Sequence, residues 1–245
     1  MSLIEDYPLG LLKDCLTALG FSPTDGELEL LQGFQAGVLD FNQKVNLTAI
    51  TEPKEFIIKH LADSLSAEPY IPRNSSVCDI GPGGGFPSMP LKIMRRDLKF
   101  TLFEASEKKS GFINAEAARL KINGGDNDFI CMHMRAEAAA KTRYRQSFDV
   151  VLARAVAPLN TLVEYALPLV KVGGRFIAYK GDADEEFTAA AHAAKLLGSG
   201  KAFKKYLTLP YSDIKRTLII YEKTNNSPAI YPRGGNKERS KPLTL

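Results

Sequence analysis

The chain reads as an α/β protein, a seven-stranded and mostly parallel sheet with an antiparallel C-terminal hairpin, preceded by an N-terminal helical extension. Three observations predict this fold. From Ser75 onward, short apolar runs alternate with amphipathic segments, the rhythm of βα units in a parallel sheet. Residues 75–85, Ser-Ser-Val-Cys-Asp-Ile-Gly-Pro-Gly-Gly-Gly, run from a strand straight into a glycine turn. The last two strand candidates are separated only by a turn at Pro210-Tyr-Ser-Asp213, so they pair antiparallel. With 245 residues, 44% hydrophobic and 24% charged, the chain has ordinary globular composition and room for one large α/β domain plus an appendage.

Helices come first. Leu9 to Leu19 is apolar and stops at Gly20. Ser22-Pro23 supplies an N-cap and a proline at the first helical position. Apolar positions at Leu28, Leu31, Phe34, Val38, Phe41 and Val45 then recur at helical spacing. A loop, Asn46-Leu-Thr-Ala-Ile-Thr-Glu-Pro53, leads to a third amphipathic helix over Lys54 to Glu68, closed by Pro69 and Pro72. Strands are expected at 76–80, 99–104, 127–133, 148–153, 174–180, 202–208 and 216–222, with helices at 87–95, 107–121, 136–142, 158–169 and 184–197. The expected organisation is a helical extension over 1–72, a cofactor-binding domain over 73–224 and a basic tail over 225–245, too polar and too rich in glycine and proline to fold alone.

No basic stretch leads into an apolar run at the N-terminus, and nowhere do 18 apolar residues run together, so neither a signal peptide nor a membrane span is expected. Cys15, Cys78 and Cys131 are scattered without a C-x-x-C pair, which fits reduced thiols in a cytoplasmic protein and no metal site. Residues 201–245 carry ten Lys/Arg against three Asp/Glu, a local charge of +7 that leaves −3 on the rest. Such a basic end is either a solvated tail or a surface for a polyanion.

The glycine turn narrows the cofactor. A dinucleotide G-x-G-x-x-G needs a sixth-position glycine, where Phe86 stands, and no Gly-Lys-Ser/Thr follows to make a P-loop. Asp79, two residues before the first glycine, suits a cofactor with a cationic amino-acid end. Glu104, ending the second strand, is placed to accept hydrogen bonds from ribose hydroxyls. Asp79, Gly81, Gly83 and Gly85 match acid-x-Gly-x-Gly-x-Gly, so the site resembles the S-adenosylmethionine site of the class I methyltransferases, whose sheet also ends in a hairpin.

Further motifs occur in order: Phe41-Asn-Gln-Lys-Val-Asn-Leu-Thr-Ala-Ile50, His60-Leu-Ala-Asp-Ser-Leu65, Asp79-Ile-Gly-Pro-Gly-Gly-Gly-Phe-Pro87, Arg135-Ala-Glu137 and Ala153-Arg-Ala-Val-Ala-Pro158. Ala178-Tyr-Lys-Gly181 and Tyr231-Pro-Arg233 follow. From about residue 25 to the end, the chain resembles the bacterial guanine-N7 methyltransferases of 16S ribosomal RNA, the glucose-inhibited division protein B family. It departs from that pattern at Ser88, where glycine is usual, and at Glu104, where aspartate is commoner; Ser88 is expected to narrow the space beside the cofactor.

The resemblance implies methyl transfer from S-adenosylmethionine to N7 of a guanine in 16S ribosomal RNA or the small ribosomal subunit; a monomer is the default expectation, with no sequence feature behind it. It implies that Gly81 and Phe86 line the cofactor, that Glu104 holds the ribose, and that Ala136 and Glu137 meet the adenine edge. It puts Arg154 where base and methyl group meet, as both catalytic and cofactor-binding residue. Asn46, His60, Lys180 and Arg233 are candidate RNA contacts, with a structural reading beside each: loop fixing for Asn46 and Thr48, packing or capping for His60 and Asp63, solvated charge for Lys180. Arg154 itself has the alternative of pairing with an acid at a strand end. The Asn/Asp-Pro-Pro-Tyr tetrapeptide of exocyclic-amine methylation is absent, Ala153-Arg154-Ala155-Val156 standing in its place. That suits ring-nitrogen chemistry, because N7 has a free lone pair and needs no base. A small-molecule or protein substrate, and a non-catalytic RNA-binding module, are the competing readings.

Overall fold

The computed structural model describes residues 8–124 and 128–243; the expectation of no signal peptide concerns residues outside these, as does the first residue of the strand expected over 127–133. Two helices open the chain, α1 (Leu9–Ala18) and α2 (Asp25–Asn42). Ser22 and Pro23 precede α2 rather than start it. Thr24 is the N-cap, accepting the Glu27 N–H while Glu27 Oε2 takes the Thr24 N–H at 2.8 Å, and this reciprocal box fixes the helix start. The third expected helix is a composite: α3 (Pro53–Phe56), a π-helical turn (Ile57–Ala62), α4 (Asp63–Leu65) and a 3-10 turn (Glu68–Tyr70).

Seven strands follow: β1 (Ser76–Ile80), β2 (Lys99–Glu104), β3 (Phe129–His133), β4 (Phe148–Arg154), β5 (Val170–Lys180), β6 (Ser199–Thr208) and β7 (Lys215–Lys223). Between them lie α5 (Ser88–Met94), α6 (Glu107–Arg119), α7 (Ala136–Ala139), α8 (Leu159–Ala166) and α9 (Asp184–Leu196), and α10 (Lys237–Ser240) lies in the tail. One sheet orders them β3-β2-β1-β4-β5-β7-β6, parallel through β5, with β7 antiparallel to both its neighbours.

Strand side chains alternate between two apolar layers, as period-two geometry requires. Val77, Phe100, Leu102, Val150 and Leu152 face one cluster with Leu12, Phe34 and Phe56. Cys78, Phe103, Val151, Ala153 and Phe176 face the other, with Leu162 and Ala190. The N-terminal helices therefore cover one face of the sheet together with α5 and α6, sharing its core, and α7, α8 and α9 cover the other.

The tail docks mainly through hydrogen bonds. Arg145 donates to Tyr231 O at 2.7 Å and Ser227 O at 2.9 Å, and Thr161 Oγ1 donates to Glu238 O at 2.9 Å. No helix among the described residues is long and apolar enough to cross a membrane.

Candidate active site

The C-terminal ends of β1, β2, β3 and β4 open into one cleft of about 430 Å³, at the edge where ligands bind in open α/β sheets. Its floor is the glycine turn. Gly81 N donates to Phe103 O at 2.9 Å, carrying the sheet's hydrogen bonding one residue beyond β1. Gly83 stands at φ +58°, and a Cβ there meets no atom within 4 Å. Gly81, at φ +63°, faces Val156, whose Cγ2 lies 3.0 Å from an added Cβ. Gly85 serves a different purpose, since its Cβ would strike Met89 Cγ at 2.7 Å and Phe34 Cζ at 3.3 Å. Its missing side chain admits α5 and α2 to the back of the turn.

Glu104 is 7% exposed and braces this floor, accepting from Gly83 N at 3.1 Å and Ser106 N at 2.9 Å. Beyond it, toward β3, Ala136 and Glu137 line the cleft with Met134, Tyr165 and Arg239. Arg239 belongs to the tail, and sequence reasoning missed it because a wall built from residues a hundred positions apart leaves no local signal.

Toward β4 the wall is cationic and aromatic. His60 stacks on Phe86 at 4.3 Å and 13°, and the Arg154 guanidinium lies 5.0 Å from the same ring. Arg154 donates to Lys59 O at 3.1 Å, to Asp63 Oδ2 at 2.9 Å and, through Nη2, to His60 Nδ1 at 2.9 Å. A guanidinium cannot accept, so His60 Nδ1 is the acceptor and Nε2 carries the hydrogen that meets Thr48 Oγ1 at 2.7 Å. Burial, with the Arg154 charge beside it, lowers the His60 pKa to about 3, so the imidazole is neutral at ordinary pH. The π-helical turn sets this up: Lys59, His60 and Asp63 all reach Arg154 from it or from the turn after it, and such turns recur at functional sites. His60 and Asp63 both hold Arg154, and His60 also lines the cleft. Arg154 does pair with an acid, Asp63, and lines the cleft as well.

Other expected residues, like Gly85, lie outside the lining of this cleft. Asp79 is fully buried beneath the turn; its Oδ2 accepts from Ser88 Oγ, its Oδ1 has no partner among the described residues, and burial raises its pKa to about 7. Ser88, also fully buried, turns toward Asp79 and does not line the cleft, so the expected narrowing beside the cofactor is corrected. Asn46 is exposed; the loop is fixed by Thr48, whose Oγ1 accepts from Ile50 N at 2.9 Å, and by Asn42, whose Oδ1 accepts from Leu47 N at 2.7 Å and Thr48 N at 3.0 Å. Lys180 lies in an adjoining recess, paired to Glu186 at 2.7 Å. Arg233 grips the fully buried Glu164 at 2.7 Å and serves the tail's docking. Among the described residues no three His, Cys, Asp or Glu side chains converge as a metal site.

Residues 27–209 match a family profile described as GidB, rRNA small subunit methyltransferase G. The chain is 43% identical over 243 residues to Ribosomal RNA small subunit methyltransferase G of Caldanaerobacter subterraneus subsp. tengcongensis, covering 98% of this chain and 100% of that one. It is 44% identical over 220 residues to the protein of that name from Thermoanaerobacter pseudethanolicus, covering 88% and 90%. Among solved structures, the O-methyltransferase from Bacillus cereus in complex with SAH matches with a TM-score of 0.56 at 16% identity, over 86% of this chain and 96% of that one. That last likeness concerns the fold.

Proposed function

The chain belongs to the rRNA small subunit methyltransferase G (GidB) family, and from that premise we propose that its cleft holds S-adenosylmethionine and offers the methyl group, beside Arg154, to N7 of a guanine in 16S ribosomal RNA. The observation that carries the site assignment is the cradle at the end of β1. Gly83 has a left-handed backbone and open space where a side chain would stand, directly above the carboxylate of Glu104 that braces it. A cofactor with ribose hydroxyls fits there, because Glu104 offers acceptors at the strand end.

In this reading Gly81 and Gly83 let the backbone approach the amino-acid end, Glu104 holds the ribose, and Ala136 and Glu137 border the adenine. Asp79 supports from below, tying α5 to the turn through Ser88 and keeping one unmatched carboxylate oxygen for a cationic ammonium. Bound S-adenosylmethionine supplies an electrophilic methyl on a sulfonium. The rest is alignment, which contributes roughly 7–11 kcal/mol in well-oriented reactions. At the β4 end of the cleft neither Arg154 nor His60 offers a base, since a guanidinium only donates and His60 spends its basic nitrogen on Arg154. N7 needs none. Asp63 balances the Arg154 charge, and Phe86 and His60 shut water out of that end.

We further propose a cytoplasmic monomer, with residues 73–224 holding the cofactor and residues 1–72 and 225–245 supplying walls of the cleft. Nucleoside mass spectrometry of 16S ribosomal RNA from cells lacking the protein tests the reaction. Loss of N7-methylguanosine is expected, and an unchanged level contradicts the assignment.

A further inference from the structure

A second recess, of about 400 Å³, adjoins the cofactor cleft and shares His60, Arg154 and Ala155 with it. Four cations line it, Lys59, Arg154, Lys180 and Arg216, against one carboxylate, Asp63. Asp63 is 3% exposed and splits its oxygens, Oδ2 to Arg154 at 2.9 Å and Oδ1 to Arg216 Nε at 3.0 Å, so it fixes both guanidinium groups in place. Arg216 spends Nη1 on Lys215 O at 3.3 Å, and among the described residues its Nη2 has no partner. Lys59 and Lys180 pair with Glu55 and Glu186, whose side chains are 51% and 38% exposed. Pairs that wet neutralise little, so the recess remains positive. Ile50 and Tyr179 give it an apolar flank, and at Gly181 a Cβ would meet nothing within 4 Å.

A guanine N7 lies on the major-groove edge, which in paired RNA is too deep and narrow for side chains to enter. The target must therefore be presented unstacked, as enzymes that modify bases require. We infer that this recess receives the target guanosine as a single everted nucleotide, its base reaching the cleft past Arg154 and its phosphate held by Arg216. The inference rests on the methyltransferase reading above and adds to it the binding site for the substrate. It assigns a role to Arg216 that the sequence motifs do not, and makes Asp63 the positioning residue for both arginines. The volume lies within the range of small-molecule sites, and the Arg216 Nη2 left over by Asp63 and Lys215 can donate a charge-assisted hydrogen bond to a phosphate oxygen.

The test uses small ribosomal subunits that lack the modification, with wild-type protein, Arg216→Ala, Arg216→Lys and Gly181→Met. Arg216→Ala is expected to raise KM for the subunit about tenfold or more, and to lower the log–log salt slope of binding by about 0.7–0.9, the share of one phosphate contact. Affinity for S-adenosylmethionine stays within about twofold by calorimetry, since Arg216 does not line the cofactor cleft. Arg216→Lys restores part of the KM. Gly181→Met fills the recess without entering the cleft and is expected to block methylation with cofactor affinity intact, which keeps the idea exposed should Arg216→Ala fail to fold. An unchanged KM in Arg216→Ala, or unimpaired methylation by Gly181→Met, overturns the recess as the nucleotide site. Wild-type protein that transfers no methyl to guanine N7 sinks instead the reading on which it rests.

Discussion

Ser88 and Asp79 form a fully buried pair in which the hydroxyl satisfies one carboxylate oxygen, and among the described residues the other has no hydrogen-bond partner. Replacing Ser88 with alanine removes the hydroxyl that donates to Asp79 Oδ2, at an expected cost of about 1–3 kcal/mol in stability. Urea denaturation reads this directly; a variant as stable as wild type denies the pair a structural role. Asp79 also opposes His60 in its response to pH. Folded His60 takes a proton only near pH 3, whereas its ordinary pKa is 6.5, so the unfolded chain binds more protons between these values and stability rises with pH across that window. Folded Asp79 keeps its proton to about 7 against an ordinary 3.8, so its contribution falls as pH rises from 3.8 to 7. Each slope is limited to about 1.4 kcal/mol per pH unit, and the two offset in the shared window. Relative to wild type, His60→Gln is therefore expected to lose stability as pH rises between 3.8 and 6.5, and Asp79→Asn to gain it. Difference profiles of the same sign in both variants contradict this assignment.

At the scale of elements, the glycine turn was legible from its motif, but the division of work among its glycines was not. Acid-x-Gly-x-Gly-x-Gly predicted a cofactor turn with all three glycines alike. In the fold, Gly83 faces the open cleft while Gly85 faces Phe34 and Met89. Phe34 lies on α2, and its approach depends on tertiary packing that local spacing does not encode. Gly83→Ala is expected to cost roughly 1–2 kcal/mol for its left-handed backbone and to weaken S-adenosylmethionine binding by about tenfold or more. Gly85→Ala displaces packed side chains and is expected to lose more stability than Gly83→Ala. Calorimetry and thermal melts separate the two; equal effects on cofactor affinity and stability in both variants contradict the division. The π-helical turn was equally hidden. Helical spacing predicted a regular amphipathic helix over residues 54–68, whereas the irregular turn brings Lys59 O to Arg154 along with the His60 and Asp63 side chains.

For the whole molecule, the mostly parallel seven-stranded sheet and its closing hairpin followed from the alternation of strand and helix segments and from the hairpin spacing, whereas the strand order and the division of the core into two layers came only with the fold. The placement of the C-terminal positive charge did not. Arg233 and Glu164 stand 69 residues apart, and only the folded chain shows that the tail's arginine neutralises a fully buried carboxylate. Arg233→Ala strands that carboxylate, with an expected loss of about 3 kcal/mol and a tail opened to limited proteolysis. Its salt slope of RNA binding is expected to match that of wild type, and a shallower slope would return Arg233 to the RNA surface. Arg154 ties the scales together: it ends a strand, holds the π-helical turn to the sheet and borders both cleft and recess. The most direct measurement is therefore nucleoside mass spectrometry of 16S ribosomal RNA from unmodified small subunits incubated with S-adenosylmethionine and either wild-type protein or Arg154→Ala. N7-methylguanosine is expected to accumulate with wild type and to form about a hundredfold more slowly with Arg154→Ala, at similar cofactor affinity. No N7-methylguanosine with wild type, or equal rates in the two proteins, contradicts the account.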